Sequence, residues 1–272
     1  MCATCGCDQP GGVTITKLGD QVFKPITPSA ILHQHPAPAL QETKRIELER
    51  DILGKNNRSA KHNRFHFEEA GITALNIVSS PGSGKTTLLE ATLKTIKHQQ
   101  HCYVIEGDQQ TTHDADRIAA TGCEVVQINT GKGCHLDAEM IHRALHQLNP
   151  QPHALVFIEN VGNLVCPAMF DLGEKARVAI ISVTEGDDKP LKYPDMFESS
   201  QLCIINKIDL LPYVNFSVAT AKAFAHQVNP KIEFIELSAT SGQGMDGWLA
   251  WLNNLVNASH QMQTVNAFTH EV

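Results

Sequence analysis

Three stretches of this 272-residue chain combine residue types and spacings that can do chemistry. The first is Ser79-Ser80-Pro81-Gly82-Ser83-Gly84-Lys85-Thr86-Thr87. Small residues there let backbone N–H groups converge on a phosphate, Lys85 neutralises its charge, and the Thr86 hydroxyl can ligate Mg²⁺. Ser79 stands where such loops usually carry glycine. A Gly/Ser linker is the alternative, but a linker has no use for Gly-Lys-Thr between a strand and a helix. The second stretch is Cys2-Ala3-Thr4-Cys5-Gly6-Cys7, three soft ligands on a segment able to wrap an ion. With Met1 removed, the Cys2 amine would complete an S₃N set that suits Ni²⁺, while thiolates also suit Zn²⁺ and Cu⁺. The third comprises Cys134-His135 and Cys166. Adjacent Cys134 and His135 are not expected to point easily at one ion, so a site shared between two subunits is one way to complete the set.

Asn206-Lys207-Ile208-Asp209 follows an apolar run and resembles the Asn-Lys-x-Asp signature of GTPases. In that signature the carboxylate accepts hydrogen bonds from guanine N1 and the 2-amino group, a donor pair adenine lacks. Ser238-Ala239, after the next apolar run, resembles the second base-contacting element. Magnesium needs oxygen ligands near the phosphates. Asp108, in Glu106-Gly107-Asp108, and Glu159 are the candidates, each at the end of an expected strand.

These groups need a scaffold that gathers strand ends. From Gly71 onward, apolar runs alternate with amphipathic stretches. Strands are expected at 73–78, 102–105, 125–128, 154–158, 178–183, 202–205 and 232–237, and helices at 86–97, 137–148, 218–228 and 245–256. This alternation predicts an α/β domain with a mainly parallel sheet that binds ligands at its carboxyl edge, and the phosphate loop directly after the first strand makes it of the P-loop NTPase type. The expected organisation is a flexible metal-binding tail over 1–40, a helical linker over 41–70, the GTPase domain over 71–258 and a C-terminal tail over 259–272. Within the linker, a short helix over 43–54 is expected to stop at Gly54 and to give way to a polar link over 55–66.

The formal charge of −7, without a basic cluster, argues against a nucleic-acid partner. No apolar run approaches the roughly 20 residues of a membrane span, and the first residues lack the pattern of a signal peptide, so a cytoplasmic protein is expected. In that compartment the eight cysteines are not expected to form a disulfide framework. Cys102, Cys123 and Cys203 are expected in the core. His33, His35 and the remaining histidines, His135 apart, are read as structural or solvated.

Taken in order, the N-terminal cysteines, the phosphate loop, Gly133-Cys134-His135-Leu136, the run Glu159-Asn160-Val161-Gly162-Asn163-Leu164-Val165-Cys166-Pro167, Glu185-Gly186-Asp187-Asp188-Lys189-Pro190 and Asn206-Lys207-Ile208-Asp209 resemble the HypB family, the nickel-binding GTPases of [NiFe]-hydrogenase maturation. Ser79 is in keeping with that family. The resemblance implies GTP/GDP with Mg²⁺ in the nucleotide site, Ni²⁺ at Cys2, Cys5 and Cys7, and Ni²⁺ or Zn²⁺ at Cys134, His135 and Cys166. It implies a GTP-dependent homodimer whose partners are a HypA-like nickel chaperone and the hydrogenase large subunit, with a SlyD-type prolyl isomerase as a candidate nickel donor. Lys85 and Thr86 would bind phosphate and Mg²⁺, Asp209 would select guanine, and Lys189 would belong to a mobile nucleotide-sensing region. A urease-type accessory GTPase and a nickel or zinc storage protein are the competing readings.

Overall fold

The computed structural model describes residues 14–17, 42–108, 112–131 and 133–269, with side-chain surroundings described from residue 50 to residue 259 within those ranges. Cys2, Cys5, Cys7, His33 and His35 lie outside the described residues, as does most of the expected tail.

All seven expected strands are present: β2 (Thr73–Ser79), β3 (Cys102–Asp108), β4 (Glu124–Asn129), β5 (Leu155–Glu159), β6 (Ala176–Ser182), β7 (Leu202–Asn206) and β8 (Glu233–Glu236). They are mutually parallel in the order β4-β3-β5-β2-β6-β7-β8. An eighth strand, β1 (Thr14–Lys17), pairs antiparallel with the outer edge of β4, Thr14 lying opposite Asn129. This strand falls inside the stretch read as a flexible tail; four residues flanked by Gly- and Pro-rich sequence show no periodicity, and the pairing comes from β4.

The central strand β2 is buried along its whole length, and its side chains alternate between two cores. Leu75 and Ile77 pack with Leu88, Leu89 and Leu93 of α2 (Lys85–Ile96), and with Trp248 and Leu252 of α8 (Met245–Thr269). Ala74 faces the opposite layer, where Phe67 of α1 (Glu42–Ala70) meets Ile141, Ala144 and Leu145 of α4 (Ala138–Leu148). A third cluster joins β6 and β7 to α6 (Pro194–Glu198) and α7 (Val218–Val228). Two further helices, α3 (His113–Ala119) and α5 (Lys189–Lys192), are too short to leave a period in the sequence.

Two helices are longer than expected. α8 continues to Thr269, since nothing from Val256 to Thr269 is a glycine or proline. α1 runs unbroken through Gly54 and replaces the expected polar link. Its inward face is Asn56, Ala60, Asn63 and Phe67, a proper helical spacing in which two of the four positions are polar. Asn63, fully buried, donates through Nδ2 to the carbonyls of Ala138 (2.8 Å) and Leu172 (3.0 Å). Asn56 donates to Asp171 O (2.8 Å) and accepts from Ala138 N (2.9 Å), and Arg64 grips the Asp171 carboxylate through both oxygens. Polar docking of this kind is invisible to hydrophobic periodicity. The Asn63→Ala variant removes both of these buried hydrogen bonds and is expected to lose about 2–4 kcal/mol of stability, read as a lower urea midpoint with unchanged slope.

Among the described residues, no helix is long and apolar enough to cross a membrane.

Candidate nucleotide and metal site

The carboxyl ends of the parallel strands gather the chemistry-bearing residues on one edge. β2 leads directly into the phosphate loop, and α2 begins at Lys85 with Gly84 as its N-cap. Gly84 has φ +97°, and a Cβ there would sit 2.5 Å from Asn206 Nδ2. That close approach wires the loop to the end of β7: Asn206 Nδ2 donates to Ser83 O (2.9 Å), and Lys207 Nζ donates to Gly82 O (2.7 Å). Asn206 Oδ1 accepts from Lys207 N (2.7 Å) and from Ala239 N (3.2 Å), which ties in the Ser238-Ala239 turn. Asp209 lies exposed in the helical turn that follows, Ile208–Tyr213. Lys85 Nζ donates to Ser79 Oγ (3.0 Å), so the hydroxyl that replaces the usual glycine holds the loop lysine.

Thr86 Oγ1 donates to Glu159 Oε1 (2.6 Å). Glu159 ends β5, and its register partner on β3 is Glu106; Asp108 instead pairs with Asn129 of β4. Both glutamates are almost fully buried, and the Oε2 atom of each has no hydrogen-bond partner among the described residues. Burial, reinforced by Glu159 and Asp108, pushes the Glu106 carboxyl up to about 9. Burial likewise raises Glu159, against the opposing pull of Lys85 and Thr86. Two adjacent buried carboxyl groups with unclaimed oxygens beside the loop threonine form a donor set that fits a hard divalent cation such as Mg²⁺. Glu106 was missed in the sequence, although a glutamate two positions before Asp108 in an otherwise apolar strand was the available signal.

Lys189 reaches the loop from α5. Its Nζ donates to Ser80 Oγ (3.0 Å) and pairs with Glu185 Oε2 (3.0 Å), while Glu185 Oε1 accepts from Ser83 Oγ (2.6 Å). Burial alone would raise Glu185, but the Ser83 and Lys189 contacts outweigh it and hold the carboxyl below its usual range. Glu185, too, was not singled out in the sequence.

Cys134, His135 and Cys166 converge: their ligand atoms all lie within 4.8 Å of one another, and the two sulfurs are 2.8 Å apart. Adjacent Cys134 and His135 therefore do reach a common centre, contrary to expectation. The reason is local. Thr130 accepts Gly133 N through its carbonyl (2.9 Å) and donates its hydroxyl to Gly133 O (2.7 Å), which curls the chain just before the pair. His135 then stacks on Phe170 at 3.9 Å between ring centroids, and burial lowers its affinity for a proton, leaving the neutral ring that binds metals. Cys203 is fully buried, Cys102 and Cys123 are half-buried, and burial pushes all three thiols up to about 12, as suits packing residues.

The nucleotide and metal ends are joined by one loop. Asn160 Oδ1 accepts from Leu136 N (3.3 Å), and Asn163 Nδ2 donates to Cys134 O (3.5 Å). Gly162 lies so close to the phosphate loop that a Cβ would be 3.2 Å from Pro81 Cα. Asn160 and Asn163, which carry no role in the sequence reading, act as struts between the loop bearing Cys166 and the Cys134-His135 segment.

Fold and site together define a P-loop nucleotide-binding protein with a thiolate–imidazole cluster beside the nucleotide loop. The family model for the CobW/HypB/UreG nucleotide-binding domain matches residues 73–236. The hydrogenase maturation factor HypB of Escherichia coli K12 is 59% identical over 216 residues, covering 79% of this chain and 74% of that protein. Among solved structures, HypB from Archaeoglobus fulgidus superposes with a TM-score of 0.70 at 40% identity, over 75% of this chain and 99% of that one. HypB from Helicobacter pylori, in complex with nickel, gives 0.71 at 36% identity, over 75% and 96%. The chain belongs to the HypB hydrogenase maturation factors of the CobW/HypB/UreG family.

Proposed function

We propose that the chain hydrolyses GTP and uses its nucleotide state to control a nickel ion destined for the large subunit of a [NiFe]-hydrogenase. The loop from Glu159 to Pro167 carries this reading: it meets Thr86 and Pro81 at its start and bears Cys166, beside Cys134 and His135, at its end. Lys85 and the loop N–H groups hold the phosphates, and Thr86, Glu159 and Glu106, with Asp108 nearby, would hold Mg²⁺. Bound Mg²⁺ would supply charge neutralisation at the β- and γ-phosphates. Asp209 accepts from guanine N1 and the 2-amino group, and the Ser238-Ala239 turn flanks the base.

The nickel complex of the Helicobacter pylori relative supports nickel as the cargo at Cys134, His135 and Cys166. Zn²⁺ suits the same donors. Val165 and Met169 are exposed on either side of buried Cys166, an apolar rim that a second copy would cover in the GTP-bound dimer. Cys2, Cys5 and Cys7 would form a separate nickel site, with a HypA-like chaperone and a SlyD-type isomerase as the proposed exchange partners.

A ligand shifts a conformational equilibrium only through its differential affinity for the two states, and the resulting coupling is reciprocal. Nickel affinity of a Cys2→Ala, Cys5→Ala, Cys7→Ala variant, titrated with GDP and with a non-hydrolysable GTP analogue, is expected to differ by about 5–150-fold. The additional Asn160→Ala change should bring that ratio towards unity while both ligands still bind. Equal nickel affinity in the two nucleotide states before that change overturns the coupling.

A further inference from the structure

On the outer side of the sheet, α1 and α4 pack together and each carries two histidines one turn apart: His62 and His66 on α1, His142 and His146 on α4. Residues four apart share a helix face, the spacing by which helices chelate a metal through two imidazoles. His146 Nε2 lies 3.1 Å from His142 Nε2. Two nitrogens bound to one ion at about 2.0–2.1 Å, with an angle of roughly 90–110°, would be roughly 2.9–3.4 Å apart, so the pair already has the separation of two ligands. The His62 ring sits edge-on to His142 with centroids 5.0 Å apart.

Neither ring of the α4 pair is committed to holding the fold. His142 Nδ1 is buried with no hydrogen-bond partner among the described residues, and His146 is exposed. His62 and His66 are exposed, so a change of rotamer can bring a third nitrogen to the pair.

We propose that His142 and His146, completed by His62 or His66, form a third transition-metal site, separate from the thiolate centres and independent of the nucleotide reading. Imidazole donors without thiolate or carboxylate select ions of the Ni²⁺ or Zn²⁺ type over Mg²⁺. The site lies on the helix that starts immediately after the Cys134-His135 loop, His142 being about 6 Å along the axis from Ala138.

The test uses the full chain with Cys2, Cys5, Cys7, Cys134 and Cys166 each changed to alanine, titrated with Ni²⁺ and Zn²⁺ by equilibrium dialysis. One equivalent of bound metal should remain, with an X-ray absorption spectrum showing imidazole scattering and no sulfur. Adding His142→Ala and His146→Ala should weaken it by about tenfold or more. Alanine is the best helix former, so α4 should persist, as circular dichroism would verify. If the cysteine variant does not fold, the same two histidine changes in the otherwise native chain should lower the bound stoichiometry by one. Absence of metal from the folded cysteine variant, or indifference of bound metal to the histidine changes in either background, overturns the site.

Discussion

The Gly84→Ala variant is expected to lose at least about a hundredfold in affinity for GDP and GTP alike. Left-handed backbone at φ +97° costs an alanine about 1–2 kcal/mol, and the new methyl would lie 2.5 Å from Asn206 Nδ2. Asn206 cannot simply swing aside. Its amide holds Ser83 O while its carbonyl oxygen holds Lys207 N and Ala239 N, so relief of the clash breaks the connection between the phosphate loop and the Ser238-Ala239 turn. Strain and lost contacts together reach about 3 kcal/mol, which is roughly a factor of a hundred. Calorimetric titration with GDP reads this directly. Affinity within threefold of the parent would show that the loop does not bind nucleotide in the conformation described.

The second large effect is expected at sulfur. In a background with Cys2, Cys5 and Cys7 changed to alanine, Cys166→Ser should weaken nickel binding by about a hundredfold, or about 3 kcal/mol. A serine hydroxyl stays protonated at neutral pH and is a hard, poor donor for this class of ion. Cys166 is 9% exposed and its sulfur is 2.8 Å from that of Cys134, so the change would remove one of the two thiolates of the proposed centre. Affinity for GDP should be unchanged, because the phosphate loop meets Glu159 and Gly162 at the other end of the same segment. Undiminished nickel binding would place the ion elsewhere on the chain.

The parallel sheet was legible because strands such as β2 and β6 are buried on both faces and write themselves as largely apolar runs, interrupted only by Asn76 in β2 and Arg177 in β6 between their end residues. The phosphate loop, the Asn206-Lys207-Ile208-Asp209 element and the cluster of Cys134, His135 and Cys166 were legible because their chemistry demands fixed residue types. Contacts between distant segments were not. Glu106 acquires its meaning from strand register, which sets it beside Glu159 across 53 positions of sequence. Glu185 is 102 positions from Ser83, yet bonds to it. Asn63, which locks α1 down, looks like a surface residue until the carbonyls of Ala138 and Leu172 are in view. The convergence of Cys134 with its neighbour His135 depends on a curl at Gly133 that only the folded loop displays.

The direction of β1 bears on the proposed exchange between the two cysteine sets. Because β1 runs antiparallel to β4, Thr14 lies opposite Asn129, at the carboxyl edge of the sheet and five positions before Cys134. Seven peptide steps separate Cys7 from Thr14, a reach of at most roughly 25 Å. A parallel β1 would have started the chain from the opposite edge, a strand's length further away. With this anchoring, an ion held by Cys2, Cys5 and Cys7, as proposed, would meet the Cys134 loop at an effective concentration of about the millimolar order, far above that of any free metal donor in solution. On the proposed reading, exchange between the two centres within one chain would be a matter of relative affinity, set by the nucleotide, and not of encounter.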